Sequence, residues 1–245
     1  MCRLGSVRFR RALAILLAAV VGATEAGGKE KIHIEYAVGR RASMTALLGA
    51  EKQLAKGDLE NARRSVDAIL QSDPKFWPAL FTRAKIYEGQ HKSQLAIQDC
   101  NELLRQYPYM VEAAVLRASI NAGLGNYAAS LKELDHVVSI RPRTDGLALA
   151  LAERAWVRLT CRDQSFRNPQ QALKDAKLAC TLMQWKDEDM IDTLALAYAE
   201  AGDFDSAVRY EEQALGVKGV SAETSKILQQ HLAFFREHRP FWQSP

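Results

Sequence analysis

A regular 34-residue spacing of small residues and prolines constrains the fold of this chain more than any other feature of its sequence. The repeated positions are Ala50, Ala84 and Ala118, the residues twelve further on, Ala62, Ala96 and Ser130, and the prolines Pro74, Pro108 and Pro142. Series that share one register favour a single structural unit copied along the chain. A unit of this kind cannot bury its apolar surface alone and has to stack on its neighbours. The spacing therefore predicts a repeat protein.

The clearest copy of the unit runs from Leu194 to Leu215 and contains two apolar stripes at helical spacing. Gly202 and Asp203 interrupt the pattern between the stripes, as expected for a turn. Ala195 and Ala207 lie on the two helices, where small side chains allow antiparallel helices to approach closely. The unit is therefore predicted to be a helix hairpin, and the chain to be all-α.

This unit resembles the tetratricopeptide repeat (TPR), which has small residues on both helices, an aromatic residue about one turn after the first of them, and a proline near its end. With Ser43, Trp77 and Val111 as the first residues of three units, Tyr87 supplies the aromatic residue in the second unit and Tyr198 in the last. The resemblance implies a right-handed α-solenoid of about five TPR helix-turn-helix units with a C-terminal capping helix.

The register divides the chain into successive segments. They are a signal peptide (1–26), a leader or linker (27–42), three regular units (43–76, 77–110 and 111–144), a TPR-like fourth unit with a loop insertion (145–187), a fifth unit (188–220), and a capping helix with a tail (221–245). Ala155 and Ala172 are 17 residues apart rather than twelve, which places the insertion between Arg162 and Pro169. Such a loop either carries function or is tolerated, because lengthening an exposed loop costs little.

The fourth and fifth units are similar to a variant found in bacterial TPR proteins. The matching residues are Ala155, Trp156, Thr160, Cys161, Ala172, Ala179, Cys180 and the stretch from Asp192 to Phe204. This resemblance implies a bacterial origin and the same architecture, and it implies no particular ligand.

The N-terminal residues have the pattern of a secretory signal peptide. Four arginines precede an apolar run from Ala12 to Val21, and small residues follow with plausible cleavage sites after Ala23 and Ala26. The alternative is an uncleaved anchor, but the run is shorter than the roughly 20 apolar residues that cross a bilayer. The protein is therefore expected to be exported, to be periplasmic or secreted, and to have no membrane insertion after cleavage.

The charge balance depends on this signal peptide. The whole chain has 33 lysines and arginines against 29 acidic residues, and cleavage after Ala23 removes four arginines and no acidic residue. The remaining chain then has equal numbers of basic and acidic side chains, so it has no net field that would attract nucleic acid or anionic lipid. Neither is expected as a partner.

The residue types that usually carry catalysis form no recognisable pattern in the sequence. The five histidines are scattered over different units, without the spacing of paired metal ligands. The sequence contains no nucleophile elbow, phosphate-binding loop or dinucleotide-binding fingerprint. The protein is therefore predicted not to be an enzyme, and no cofactor, metal or catalytic residue is expected.

Cys161 and Cys180 are candidates for a disulfide. An oxidising compartment would allow a bridge between one helix end and its antiparallel partner, and closing a loop of about 20 residues stabilises a protein by roughly 3 kcal/mol. The alternative is that both are small buried packing residues, as free cysteines commonly are. Cys100 is a third cysteine beyond the signal peptide, so at least one thiol stays unpaired within a monomer.

The concave face of a TPR solenoid is lined by the first helices of its units, and this analogy implies a groove for a partner. The implied groove residues are Met44, Leu47, Leu48, Glu51 and Leu54 in the first unit, Phe81, Thr82, Lys85 and Glu88 in the second, and Glu112, Val115, Leu116 and Ser119 in the third. A strip with so few charges suits an apolar helix or an extended peptide. The alternative is that a further N-terminal helix or a second copy of the chain covers it.

These features predict a non-enzymatic, exported scaffold that binds another protein or peptide in its concave groove. Protein binding is favoured because the predicted fold offers an extended surface. Two other functions stay open. One is a structural, self-assembling solenoid whose groove is occupied by its own leader or by a second copy. The other is a redox-responsive module that uses Cys161 and Cys180.

Overall fold

The computed structural model describes the backbone from Glu30 to Arg239 and the side chains from Arg41 to Arg239. Within these residues the chain forms eleven α-helices and one short 3₁₀ helix, and it forms no β-strand. The predicted signal peptide and the last six residues lie outside the described residues. No helix in the described part is long and apolar enough to cross a membrane.

The helices pair into five hairpins, from α1/α2 to α9/α10, and a final helix follows them. Their bounds are α1 (Glu30–Ala55), α2 (Leu59–Ser72), α3 (Trp77–Gly89), α4 (Ser93–Gln106), α5 (Val111–Gly123), α6 (Tyr127–Ser139), α7 (Thr144–Thr160), α8 (Pro169–Leu182), α9 (Glu188–Glu200), α10 (Phe204–Leu215) and α11 (Ala222–Arg236). The 3₁₀ helix, Gln164–Phe166, lies between α7 and α8. The prediction of an all-α repeat fold is confirmed.

The segment predicted as a leader or linker, 27–42, is helical from Glu30 onward. It forms the first half of α1, which is 26 residues long and continues into the first hairpin. From Glu30 to Ala42 the sequence has no proline and a single glycine, Gly39. Nothing in the segment therefore stops a helix once the hairpin has nucleated it.

Tertiary contacts divide the chain into two units, Met1–Ala113 and Ala114–Pro245. In the first unit α1 packs on α2, α2 on α3 and α3 on α4, and α1 also contacts α3. In the second unit each helix from α6 to α10 packs on the next one, and α7 also contacts α9. Within each unit the contacts join helices that are close in sequence, which is the packing that lets successive hairpins share a core.

Small residues lie where the two helices of each hairpin meet. All ten are fully buried, with no exposed surface: Ala50 and Ala62, Ala84 and Ala96, Ala118 and Ser130, Ala155 and Ala172, and Ala195 and Ala207. Because the interaxial distance depends on the side chains at the contact, these residues allow the backbones to approach closely. The spacing from which the repeat was inferred is thus the spacing of the helix contacts.

The turn between the helices requires a left-handed backbone conformation in most hairpins. Gly57, Gly125 and Gly202 have φ values of 78°, 84° and 81°, which glycine adopts without a steric penalty. In the second hairpin His91 takes this position with a φ of 59°. That turn therefore carries strain that the glycine turns avoid.

The insertion in the fourth hairpin is an ordered loop. Its 3₁₀ helix places Phe166 against Tyr127 of α6, with ring centroids 5.9 Å apart. The Tyr127 hydroxyl accepts a hydrogen bond from the backbone N–H of Arg162 at 3.1 Å, and Arg167 donates to the carbonyl of Cys161 at 2.8 Å. The extra residues are thus fastened to the preceding hairpin within the second unit.

The final helix α11 packs on α10. Its N-terminus is capped by Ser221, whose hydroxyl accepts the backbone N–H of Thr224 at 3.0 Å. Leu228 and Phe235 bury their side chains almost completely. The helix therefore covers an apolar surface of the last hairpin, which is the role of a terminal element in a repeat protein.

An arginine of the first helix pairs with an acidic residue of the second helix in three hairpins. The pairs are Arg83 with Asp99, Arg117 with Glu133, and Arg154 with Asp175. The first two pairs are separated by 16 residues, and the third by 21 because of the inserted loop. The pairs hold the same register in each hairpin, so the insertion leaves the helix alignment unchanged.

Two of these arginines also reach the preceding hairpin within their own unit. Arg83 lies 3.5 Å from a carboxylate oxygen of Asp67, and Arg154 lies 2.8 Å from one of Asp135. An Arg guanidinium can make such contacts in two directions because its donors form a planar fork. These side chains therefore link neighbouring hairpins as well as the two helices of one hairpin.

We predict that enlarging a residue at a helix contact destabilises the protein. Ala84→Leu should lower the free energy of unfolding by about 1–3 kcal/mol, because the added atoms force the two helices apart. Urea denaturation followed by circular dichroism measures the change. Ala68→Leu, at an exposed site on α2, is the control and should change stability by no more than about 0.5 kcal/mol. Equal effects of the two variants would show that Ala84 does not limit the helix spacing.

We also predict that the Arg83–Asp99 pair is needed for stability. Arg83→Gln leaves the Asp99 carboxylate, only 8% exposed, without its bidentate partner, and this should cost about 3 kcal/mol of unfolding free energy. Arg105→Gln removes an equally bidentate arginine from Glu102, but that pair is exposed to solvent, and stability should be nearly unchanged. Chemical denaturation of both variants tests the prediction, which a similar loss in the two would contradict.

Candidate protein-binding surfaces

The predicted groove residues of α1 differ in their access to solvent. Leu47 is only 1% exposed and belongs to the core, whereas the neighbouring Leu48 is 40% exposed. Met44, Glu51 and Leu54 are half-buried. On this helix the accessible part of the predicted groove therefore contains Leu48, with partial contributions from its neighbours.

The predicted groove residues of α3 are mostly inaccessible. Phe81 and Thr82 have no exposed surface, and Lys85 and Glu88 are half-buried. The Thr82 hydroxyl donates a hydrogen bond to the Glu51 carboxylate at 3.2 Å, and the Lys85 ammonium lies 5.4 Å from the centre of the Phe81 ring. The centre of the predicted apolar strip therefore contains polar side chains that already contact other residues of the protein.

The charges in this region are held in a partly desolvated environment. Burial raises the pKa of Glu51, and the nearby Lys85 and the hydrogen bond from Thr82 partly oppose this shift. Burial lowers the pKa of Lys85, and Glu51 and Glu88 partly oppose that shift. Each side chain therefore stabilises the charged form of the other, as in an internal ion pair.

On α5 the predicted groove residues separate in the same way. Val115 and Leu116 have no exposed surface, whereas Glu112 and Ser119 are half-buried. Only the polar members of the predicted set reach solvent on this helix.

Four apolar members of the predicted groove, Leu47, Phe81, Val115 and Leu116, are therefore core residues that a partner does not reach. Leu48 is exposed and Met44 and Leu54 are half-buried, so the groove as a binding surface stays a prediction. The packing of α3 gives the physical reason, because this helix contacts α1, α2 and α4. A helix with neighbours on several sides buries side chains around most of its circumference. Analogy with repeat positions does not predict which of these side chains stay accessible.

The first unit has a different apolar surface, which we call the aromatic pocket. It is an open cavity of about 500 Å³ lined by Trp77, Gln106, Tyr107, Pro108, Tyr109, Met110 and Glu112. Trp77 begins α3, and the segment from Tyr107 to Met110 connects α4 to α5. The Trp77 and Tyr107 rings pack edge to face, with centroids 6.3 Å apart and an interplanar angle of 68°. This arrangement holds both rings at the pocket wall.

The aromatic rings of the pocket are accessible to solvent. Tyr109 is 82% exposed and Tyr107 is 40% exposed. The backbone N–H of Met110 donates to the carbonyl of Tyr107 at 3.0 Å, which closes a turn around Pro108. A tight turn with a proline limits the conformations of the loop, so it presents Tyr109 in a restricted orientation.

The repeat spacing did not predict this pocket, because it marks Pro108 only as the end of a repeat. The available signal was the composition of the loop: tyrosines flank Pro108 where polar turn residues are usual. When large apolar side chains cluster on the surface, they mark an interaction surface more often than they serve the fold.

The candidate bridge between Cys161 and Cys180 is absent, because both thiols are free and buried. The Cys161 thiol donates to the carbonyl of Asp163 at 3.4 Å, and the Cys180 thiol donates to the carbonyl of Met190 at 3.3 Å. The two sulfurs therefore point to different backbone segments. Burial raises the pKa of Cys161, and burial together with Asp187 raises the pKa of Cys180 to about 12.

We predict that these thiols are unreactive in the folded protein. Because both pKa values are raised, little thiolate exists at pH 8, and only the thiolate reacts with iodoacetamide. Native protein should therefore keep Cys161 and Cys180 unmodified, while protein in guanidinium chloride without reductant should be labelled at both. Peptide mass spectrometry measures the labelling. Failure to label in denaturant unless a reductant is added would reveal a disulfide and contradict the structure.

Comparison with known sequences connects part of the chain to a repeat protein. No protein-family model matches the chain. A stretch of 128 residues, 52% of the chain, is 28% identical to the tetratricopeptide repeat and J domain-containing co-chaperone DNJ1 of Cryptococcus neoformans var. grubii. The matched part is 23% of that protein, so the chain corresponds to less than a quarter of its length.

Comparison with solved structures identifies the fold. A thermophilic TPR protein from Thermus thermophilus superposes with a TM-score of 0.66 at 16% identity, over 78% of this chain and 99% of that one. PilW, a type IV pilus biogenesis factor, superposes with a TM-score of 0.61 at 20% identity, over 80% and 87% of the two chains. The Cut9–Hcn1 hetero-tetramer of the APC/C gives a TM-score of 0.66 at 19% identity, over 80% of this chain and 36% of the matched chain. The chain thus has the fold of TPR proteins, as the resemblance of its repeats implied.

Proposed function

We propose that this protein is a non-enzymatic, exported scaffold that binds another protein or peptide, and that the aromatic pocket is the anchor of the binding site. The TPR fold supports the proposal, because stacked hairpins create extended surfaces that repeat proteins use for binding. The observation that carries it is the solvent-exposed Tyr109 beside the packed Trp77–Tyr107 pair. Export rests on the pattern of residues 1–26.

The chemistry of the aromatic pocket suits protein recognition. Tyrosine and tryptophan bury a large area on binding and lose little conformational entropy, so they are enriched at binding hot spots. Trp77 is already held by Tyr107, and the Pro108 turn restricts Tyr109. A partner therefore meets a largely preorganised surface, which reduces the cost of association.

The contents of the pocket also indicate the kind of segment that would enter it. Its walls are mainly aromatic, proline and methionine side chains, with Gln106 and Glu112 as polar members. A cavity of about 500 Å³ accommodates one or two large apolar side chains rather than a whole helix. We infer that the partner presents a short apolar or proline-containing segment.

Self-assembly is the second candidate function, because the aromatic pocket could receive a segment from another copy of the chain as well as one from a different protein. The two functions differ in their concentration dependence. A redox role has weaker support, since the Cys161 and Cys180 thiols are buried and bond to different carbonyls.

We predict that the double variant Tyr107→Ser, Tyr109→Ser loses partner binding. Tyr109 is largely exposed and Tyr107 contacts only Trp77 among the aromatic rings of the pocket, so the helices should stay folded, which circular dichroism and thermal unfolding verify. Crosslinking in intact cells, followed by affinity purification and quantitative mass spectrometry, should show at least a tenfold loss of the captured partner. The matched control is the double variant Leu124→Ser, Leu178→Ser, which removes two exposed leucines far along the chain and should capture the partner normally.

Three outcomes decide between the functions. The scaffold function is supported if the wild type and the leucine variant capture a different protein and the tyrosine variant does not. Capture of only the protein itself, together with a molecular mass that rises with concentration, supports self-assembly. Equal capture by the wild type and both variants contradicts a role for the aromatic pocket.

A further inference from the structure

Three titratable side chains from three successive helices meet inside the second unit. Asp192 lies on α9, Glu211 on α10 and His231 on α11, and each offers a potential ligand atom within 4.8 Å of the others. His231 Nδ1 is 2.6 Å from Asp192 Oδ1 and 4.0 Å from Glu211 Oε1. None of the three side chains is more than 5% exposed. The cluster is thus a convergent set of one imidazole and two carboxyl groups in the protein interior.

Glu211 is the member of this cluster that lacks compensation. Its side chain has no exposed surface, and neither carboxyl oxygen makes a hydrogen bond of good geometry with a described residue. Burying a carboxyl group without a good hydrogen bond costs free energy, because the group loses its hydration and no protein donor replaces the water. Burial, the charge of the neighbouring Asp192 carboxylate and the close approach of the two carboxyl groups raise the pKa of Glu211 well above its usual value. Without a cation the protonated form of Glu211 is therefore favoured, and a cation that binds both carboxyl groups has to displace that proton.

The surroundings strengthen this requirement. The buried apolar residues of the same three helices, including Leu194, Ala207, Leu228 and Phe235, form one core. In such surroundings two adjacent carboxylates repel each other strongly, since little solvent screens them. Arg236, which also lies on α11, pairs at the surface with Glu212 at 2.7 Å, and both side chains are more than half exposed.

We propose that Asp192, Glu211 and His231 form a binding site for a divalent transition-metal cation of the zinc class. An imidazole nitrogen and two carboxylate oxygens are donors that zinc accepts, at bond lengths of about 2.0–2.2 Å. The two negative charges would balance the charge of a divalent ion. Two ligand atoms of one tetrahedral ion lie about 3.4 Å apart at these bond lengths, so the 4.0 Å separation between the His231 nitrogen and the Glu211 oxygen has to shorten by about 0.6 Å. The 2.6 Å contact between His231 and Asp192 has to widen by less than about 1 Å for both to bind it.

The position of the site gives the bound ion a structural role. Each ligand comes from a different helix, so one ion would join both helices of the last hairpin to α11. Metal binding to a site that exists only in the folded chain adds to the stability of the fold. The ion would therefore fasten the terminal helix, independently of any partner bound at the aromatic pocket.

Metal titration of the full chain tests this inference. Protein stripped with a chelator and then dialysed should bind about one Zn²⁺ per chain, measured by isothermal titration calorimetry and elemental analysis. Its thermal midpoint should rise by about 5 °C at saturating Zn²⁺, and Mg²⁺, which prefers six oxygen ligands, should have no comparable effect. Co²⁺ in place of Zn²⁺ should give a visible absorption spectrum that reports coordination by the protein.

The variant Glu211→Gln identifies the ligands, because it keeps the shape of the side chain and removes its charge. It should weaken Zn²⁺ binding at least tenfold and abolish the thermal shift. Glu212→Gln changes the adjacent, exposed carboxylate and should bind Zn²⁺ as the wild type does. The proposal is overturned if the wild type binds no stoichiometric Zn²⁺, if Mg²⁺ stabilises it equally, or if Glu211→Gln retains the full shift. A Glu211→Gln variant more stable than metal-free wild type, with no Zn²⁺ effect on either, would show that a proton occupies the cluster instead.

Discussion

Close contact between the two helices of each hairpin is the constraint on which the rest of this structure depends. The contact requires a small residue on each helix, and all ten such residues are fully buried. Once the helices are this close, larger apolar side chains project to the sides of the hairpin and have to be covered by the next helix. The repeat, the shared core of each unit and the need for the terminal helix α11 all follow from that geometry.

Charged pairs keep the hairpins in register around this contact. Arg83 and Arg154 each join an acid of their own hairpin and an acid of the preceding one. The inserted loop of the fourth hairpin shifts the sequence separation of its pair from 16 to 21 residues without changing the partner. Helix packing therefore tolerates variation in the connections, because it depends on the paired faces and not on loop length.

The surfaces left by this packing separate structural from functional roles. Leu47 and Phe81 are buried in the core, whereas Tyr109 is exposed at the aromatic pocket. An apolar residue that supports the fold has neighbours on most sides, but one that serves a partner keeps an open side. The cluster around Glu211 presents the opposite situation, a polar group inside the core, and its chemistry calls for a positive charge rather than for a protein partner.

The sequence by itself determined the all-α hairpin repeat, the residues at the helix contacts and the position of the inserted loop. These are properties of local periodicity and spacing, which each hairpin expresses almost independently. Only the tertiary structure decided that α1 begins at Glu30, that Phe81 is buried while Tyr109 is exposed, and that Cys161 and Cys180 stay apart. It also decided the meeting of Asp192 and His231, which are 39 residues apart and lie on different helices. Burial and convergence of this kind depend on the orientation of whole helices, and no periodic pattern within one helix contains that information.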